Sequence, residues 1–431
     1  IVQVGATGAT PFNECSNLEE INVYHVEGNN IITYSSADGI LIFDDEVTGE
    51  RYVTCVPLAK KGSVRIPDGV TEIPIRAFAG CRLSSITIPA SVTAIRMRAF
   101  TSCENLSEVI FEEGANELII ESSAFANCGS LINITLPARM GELEIGNESS
   151  GTVYGVDLFN GSIYLENIFV EEGNKYYSSV DGVLCDAAGT SIIHFPNGRR
   201  GEYVVDGRIT SIGDYAFSGH RLSSVVFHSG VASIGTNAFY GCYSLESITF
   251  GGGLLPAELT IGENAFSFPY QNDALTQVIF EAGSNVVEIA KGAFANNVGL
   301  KAVEIPNTVK KIGESAFANC ALLKDVTLVS GGESLVIGNY AFSGCVSLAT
   351  FTLSDSVTEL SMNVFDGCSN LQGVYVDEGN EYFADDDGVL YDAAKTIILF
   401  YSLGRDGNVV LPETIAVSYT HLRAHETGAY L

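Results

Sequence analysis

The chain has 431 residues, 46% of them hydrophobic, enough apolar material for two or three compact domains if length alone decided. Its formal net charge of −30 comes from 22 Lys and Arg against 52 Asp and Glu spread along the sequence, which opposes binding to nucleic acid or to an anionic membrane surface. No apolar run approaches the ~20 residues of a membrane span, so no membrane insertion is expected.

The first residues read as a repeat entered midway: residue 1 is Ile, and Val4-Gly5 leads into Pro11-Phe12 and Cys15. Next comes a longer unit, Glu27-Gly28-Asn29 followed by Asp38-Gly39-Ile40-Leu41, which recurs as Glu172-Gly173-Asn174 with Asp181-Gly182-Val183-Leu184 and as Glu378-Gly379-Asn380 with Asp387-Gly388-Val389-Leu390. Asp-Gly between alternating apolar flanks predicts a two-residue hairpin turn, because both central residues of the favoured turn need positive φ. Hairpin inserts are therefore expected near 24–56, 171–205 and 377–411, with Tyr34, Tyr177, Tyr382 and Tyr391 close to the turns.

Between the inserts a phenylalanine keeps returning, at Phe12, Phe78, Phe100, Phe125, Phe217, Phe239, Phe266, Phe294, Phe317, Phe342 and Phe365. Around most of them the text is Ala-Phe-x-x-Cys-x-x-Leu-x-x-Val/Ile-x-apolar, and direct neighbours lie about 22 to 28 residues apart, the period of leucine-rich-repeat coils. One coil is too short to bury its own apolar face, so neighbours must stack into a solenoid. At ~5 Å per parallel strand, a dozen or more coils predict a body on the order of 60–70 Å long. Within a coil, runs such as Leu106, Val109, Phe111 and Leu300, Val303, Ile305 predict an alternating strand, and stacked in parallel these strands predict one long sheet. Pro67, Pro89 and Pro306 then end the strand, because proline cannot donate to a ladder, and Val70/Ile73, Val92/Ile95 and Val309/Ile312 re-enter the core in what reads as a short helical or irregular turn. The coils blur between Gly141 and Glu166, where Leu158-Phe159 is an anchor without its cysteine and a bulging loop is expected.

Eight of ten cysteines (Cys15, Cys81, Cys103, Cys128, Cys242, Cys320, Cys345 and Cys368) follow an anchor Phe by three residues. A residue fixed at one place in every coil is a core position, where a buried thiol behaves as a small hydrophobe. His220, Pro269 and Asn297 fill the same place, so sulfur is not required there, and no Cys-x-x-Cys spacing suggests a metal. Cys55 and Cys185 fall in inserts and read as free thiols.

The combination of Ala-Phe-x-x-Cys-x-x-Leu coils with Glu-Gly-Asn … Asp-Gly-Val-Leu inserts resembles the BspA-like leucine-rich-repeat family of bacterial and protist surface proteins, over essentially Ile1 to Ile415. The resemblance implies a single solenoid over 1–415, a fragment of a longer surface protein, without catalytic residues, cofactor or metal. It implies an extracellular or cell-surface location and adhesion to an extracellular or host-surface protein. Val417 to Thr427 reads instead as an in-frame translation of a sequencing-library adapter, so residues 416–431 are expected to be non-native, and the pair His421 and His425 followed by Glu426 is set aside as a metal site.

Enzyme chemistry finds little else to work with. His25, His194, His220 and His228 have no Gly-x-Ser-x-Gly elbow nearby, and the absence of Trp weakens a sugar platform, though 19 tyrosines remain. Asp385 to Asp387 suggest calcium, but the sister inserts place Ser36 or Ser179 there, so the shared turn Asp is explained by the hairpin. Asp44-Asp45-Glu46, Glu112-Glu113 and Glu171-Glu172 read as solvated surface, and no basic patch offsets the acidic charge. Recognition then falls to the outward side of the strands, whose middle positions include Thr249, Ile279, Glu304, Thr327, Thr352 and Tyr375, and to Tyr34, Tyr177 and Tyr382 on the inserts. Such a face predicts a monomeric, weak or multivalent protein binder; the alternative is a passive spacer of a larger surface protein or enzyme.

Overall fold

The computed structural model describes residues 16–23, 32–45, 49–143, 158–254, 256–402, 404–405 and 412–415. Phe12, Cys15, His25, residues 144–157 of the blurred stretch and the 416–431 tail lie outside the described residues. The chain divides into two compact units, Ile1–Arg199 and Arg200–Leu431.

Both units are parallel β-solenoids of leucine-rich-repeat type, and no helix occurs among the described residues. In the first unit the long strands Lys61–Arg65, Arg82–Ile88 and Glu108–Phe111 pair in parallel, as do Asn133–Leu136 and Asn167–Val170. In the second, Gly201–Val204, Leu222–Phe227, Ser247–Phe250 and Gln277–Phe280 form one ladder, followed by the pairs Ala302–Ile305 with Asp325–Leu328 and Thr350–Leu353 with Gly373–Val376. Their alternation buries Val109 and Phe111, Ile248 and Phe250, Val303 and Ile305, as expected.

The segment after each proline corrects the expected helical or irregular turn: it is a second parallel ladder. Glu72–Ile73, Ala94–Ile95 and Ile119–Ile120 pair in the first unit. Seven strands from Ser211–Ile212 to Val357–Leu360 pair successively in the second. Each N–H leaving this segment finds a carbonyl one coil back, as in Arg96 N to Ile73 O at 3.0 Å and Glu121 N to Ile95 O at 2.9 Å, and the recurring buried isoleucine fits a half-buried strand.

The anchor turn is a third ladder. Phe78 N donates to Ala99 O and Phe294 N to Ala316 O, both at 2.8 Å, and the alanine is small enough to let adjacent coils approach. The turn is bracketed by two left-handed residues, for example Ser315 (φ 56°) and Asn319 (φ 61°) around Ala316-Phe317-Ala318. Asn, Ser and Gly recur in these places because they tolerate that region. The rings pile up in register: Phe78, Phe100 and Phe125 at 4.9 and 5.2 Å, then Phe159 at 6.1 Å, so the degenerate anchor is a working one. In the second unit the stack runs Phe217, Phe239, Phe266, Phe294, Phe317, Phe342 and Phe365 with centroids 4.4 to 6.3 Å apart. These are offset-stacking distances for fully or nearly fully buried rings.

The cysteine position proves to be more than a hydrophobic filler. Cys103 Sγ donates to Phe78 O at 3.0 Å, Cys242 to Phe217 O at 3.0 Å, Cys320 to Phe294 O at 3.4 Å and Cys368 to Phe342 O at 3.1 Å. Where cysteine is missing, Ser162 Oγ reaches Phe125 O at 2.8 Å and Asn297 Nδ2 reaches Phe266 O at 3.0 Å. These occupants share a donor aimed at the preceding anchor carbonyl. All nine described cysteines are free and buried, and burial pushes the thiols of Cys103, Cys242 and Cys320 up to about 12.

Candidate functional site

With the inward residues committed to three ladders, recognition falls to what the long strands present outward. Register decides which of those residues meet. In the second unit Val204, Val226, Thr249 and Ile279 are direct partners across four parallel strands, and strand spacing puts them ~5 Å apart in a row. Val204 is 59% and Ile279 43% exposed, so the row presents β-branched apolar surface to solvent. A polar row, Glu202, Ser224, Ser247 and Gln277, runs beside it. Further along, Glu304 pairs with Thr327 and Thr352 with Tyr375, and all four are exposed. The six predicted strand positions therefore do share one kind of face. The first unit repeats the arrangement with Thr87 opposite Ile110 and Thr135 opposite Phe169. Val204 and Phe169 were not picked out from sequence; the Leu165-x-x-Ile168-x-Val170 spacing was available for Phe169, whereas Val204 follows an insert and lacks the leucine lead-in.

The inserts are hairpins with the predicted turn. Asp181 and Gly182 have φ of 49° and 69°, Asp387 and Gly388 of 50° and 79°, and Asp38 and Gly39 of 51° and 71°. Each insert carries a third antiparallel strand: Arg51–Cys55, Ser191–His194 or Ile398–Phe400. The bend into that strand is held by Asp186 or Asp392, whose carboxylates accept from the N–H and hydroxyl of Thr190 or Thr396. The asparagine of Glu-Gly-Asn is a clamp. Asn380 donates to Ser354 O and Val357 O at 2.8 and 3.0 Å and accepts from the N–H of Tyr382 and Phe383, and Asn174 makes the same four bonds.

The hairpins also close the ladder. Gly39, Gly182 and Gly388 carbonyls accept from Ile21, Ile168 and Val374 on the preceding segment at 2.9, 2.8 and 3.0 Å. Ser36, Ser179 and Asp385 accept from the N–H of Val23, Val170 and Val376. Asp385 thus does the work of a serine in its sister inserts. Arg199 and Arg405 grip the turn residues Asp181 and Asp387 through carboxylate and carbonyl.

The insert tyrosines separate accordingly. Tyr177 is corrected from the candidate surface: it is only 8% exposed, its hydroxyl accepts from Leu143 N at 2.9 Å, and burial pushes its pKa up. Tyr34 is half-buried, packed edge-on against Phe43, which stacks on Tyr52. Tyr382 is 52% exposed, and Tyr375 lies against the Gly388 turn, so these two mark the insert end of the second unit's face.

Two of the histidines considered from the sequence have structural surroundings. His220 is buried in the cysteine place, and His228 is held by Asp206 O and Gly230 N. Among the described residues no group of three His, Cys, Asp or Glu is placed to hold a metal, and no helix is long and apolar enough to cross a membrane.

The sequence pattern of the BspA type Leucine rich repeat region recurs in six copies, over residues 58–176, 201–320 and 287–386, more than half of the chain. The chain belongs to this BspA-type family. Among solved structures, a leucine-rich repeat protein from Eubacterium ventriosum is 19% identical with a TM-score of 0.50, covering 82% of this chain and 97% of the other. The pneumococcal vaccine antigen PcpA is 18% identical, TM-score 0.39, covering 92% and 93%. A leucine rich cell surface protein from Faecalibacterium prausnitzii is 18% identical, TM-score 0.30, covering 80% and 95%. No curated protein matches by sequence. For a BspA-type repeat the family residues are those of the ladders, which fixes the fold and identifies no ligand.

Proposed function

We propose that the chain is a non-enzymatic recognition module of a cell-surface protein, binding a protein partner along the long-strand face of its second unit. The observation that carries this reading is the row Val204, Val226, Thr249 and Ile279, exposed at its two ends and half-buried between them, set beside polar residues rather than screened by them. Thr327, Thr352, Tyr375 and Tyr382 extend the face toward the third insert. Glu202, Glu304 and Asp325 on the same side favour a partner with lysine and arginine at its rim. Family membership supports an extracellular location.

A second reading, a passive spacer, draws on the same face: threonine suits an exposed strand for intrinsic reasons, and tyrosines are few. Binding of the chain to a panel of immobilised extracellular matrix proteins separates the two. Saturable binding that Thr249→Lys and Ile279→Lys abolish is the expected result; no saturable binding at any salt concentration favours the spacer.

A further inference from the structure

Ion pairs occupy six of the thirteen arginines of this acidic chain. Arg51, Arg65, Arg96, Arg199, Arg208 and Arg405 each meet a carboxylate. Arg76 and Arg98 do not, among the described residues, although carboxylates outnumber cationic side chains 52 to 22. They come from successive coils of the first unit and stand at the same place, the residue before the Ala-Phe anchor. That place is left-handed, with φ of 59° and 58°. Elsewhere it holds Ser123, Tyr215, Asn237, Asn264, Gly292, Ser315 or Tyr340, so the repeat does not call for a cation there. Long side chains are tolerated there, as Tyr215 and Tyr340 show, but among the described residues this place holds a cation only in these two successive coils, which points to a use outside the fold.

The two arginines line a groove of about 510 Å³, within the size range of small-ligand sites, together with Thr101, Ser102, Asn127 and Asn160. No carboxylate lines it. Glu121 on the neighbouring coil is already taken by Arg96 and by Met97 N. Two guanidinium groups one coil apart suit an oxyanion, because their planar forks bind sulfate or carboxylate bidentately. The hydroxyls and amides around them match sugar hydroxyls. A peptide has less to gain: the groove lacks large apolar side chains, and the turn N–H groups of Gly80, Arg98 and Ser102 already donate to Thr101, Ser122 and Ala126, so no strand can be added.

We propose that this groove, on the anchor-turn edge of the first unit and separate from the long-strand face, binds an acidic saccharide whose sulfate or carboxylate group is clamped by Arg76 and Arg98. The pairing was not legible in the sequence because residues 22 positions apart become neighbours only through the coil period.

Titration calorimetry of the full chain at low salt, with sucrose octasulfate, digalacturonate, sucrose and a hexaglutamate peptide, tests the proposal. Saturable binding of octasulfate or digalacturonate is expected, and which of the two binds tells sulfate from carboxylate. Arg76→Asn and Arg98→Asn, compatible with the backbone as Asn237 and Asn264 show, should each weaken it at least tenfold. Arg82→Asn, an equal change of charge outside the groove, should stay within twofold. If an Asn variant melts early, Arg98→Ser, the residue at Ser123 and Ser315, replaces it. The net charge of −30 opposes every polyanion, so diffuse attraction does not mimic the result. Absence of binding by both acidic saccharides, equal binding by sucrose, binding unchanged in the variants, or tighter binding of the peptide would each overturn the proposal.

Discussion

Phe294→Ala probes the stack where it is most enclosed. The ring is fully buried between Phe266 at 5.3 Å and Phe317 at 5.2 Å, and its backbone sits in the anchor ladder through Ala316. Truncation removes the ring and leaves a cavity that neighbours on both sides cannot fill without leaving register, so the cost should be about 3–5 kcal/mol. Because stability passes between adjacent coils, a loss in mid-stack weakens two interfaces at once. Cys320→Ala touches the same spot and removes only the thiol donor to Phe294 O, while Asn297 Nδ2 still donates to that carbonyl at 2.8 Å. A weak donor lost from a carbonyl that keeps a partner should cost about 1–2 kcal/mol. For a unit of this size each kcal/mol corresponds to roughly 2–4 °C, so the melting shifts should be about 6–20 °C for Phe294→Ala and a few degrees for Cys320→Ala. A melt in which the cysteine variant is the less stable of the two refutes the reasoning.

Other outcomes follow from the same geometry. Cys320→Ser should be milder than Cys320→Ala in the same melts, since Ser162 shows that a hydroxyl serves in that place. The buried thiols give stability that is full below their ordinary value of 9.0 and declines as pH rises toward the folded value of about 12, because the unfolded chain ionises first; denaturation from pH 8 to 11 should show that fall, shallower in Cys320→Ser. Asn380→Ala removes a side chain with four backbone partners and should cost about 2–4 kcal/mol, with faster hydrogen exchange in Phe383–Asp386.

The fold was legible because it depends on residues that repeat. Anchor phenylalanines, the strand alternation and the Asp-Gly turns each follow from local sterics and period, and Phe159 could be recognised without its cysteine. The second ladder was missed because a two-residue strand such as Ala94–Ile95 is too short to show alternation, and its pairing partner lies a whole coil away. The donor role of cysteine was hidden for a similar reason: the carbonyl that Cys103, Ser162 and Asn297 each reach belongs to the anchor one coil back. The candidate face was half legible, since outward positions can be counted from the anchor. Tyr177 was misplaced because distance from a turn says nothing about which side of the hairpin meets the coil beneath, a matter decided by the Asn174 clamp and the Leu143 N–H.

Residue-resolved hydrogen exchange of the anchor amides tests most directly the claim that the chain is held by aromatic turns in register. Phe78, Phe100, Phe239, Phe294 and Phe317 N–H groups, each bonded to an alanine carbonyl of the next coil, should exchange at the slow rate of the long strands. Exchange of these amides at the rate of exposed loops would contradict the account.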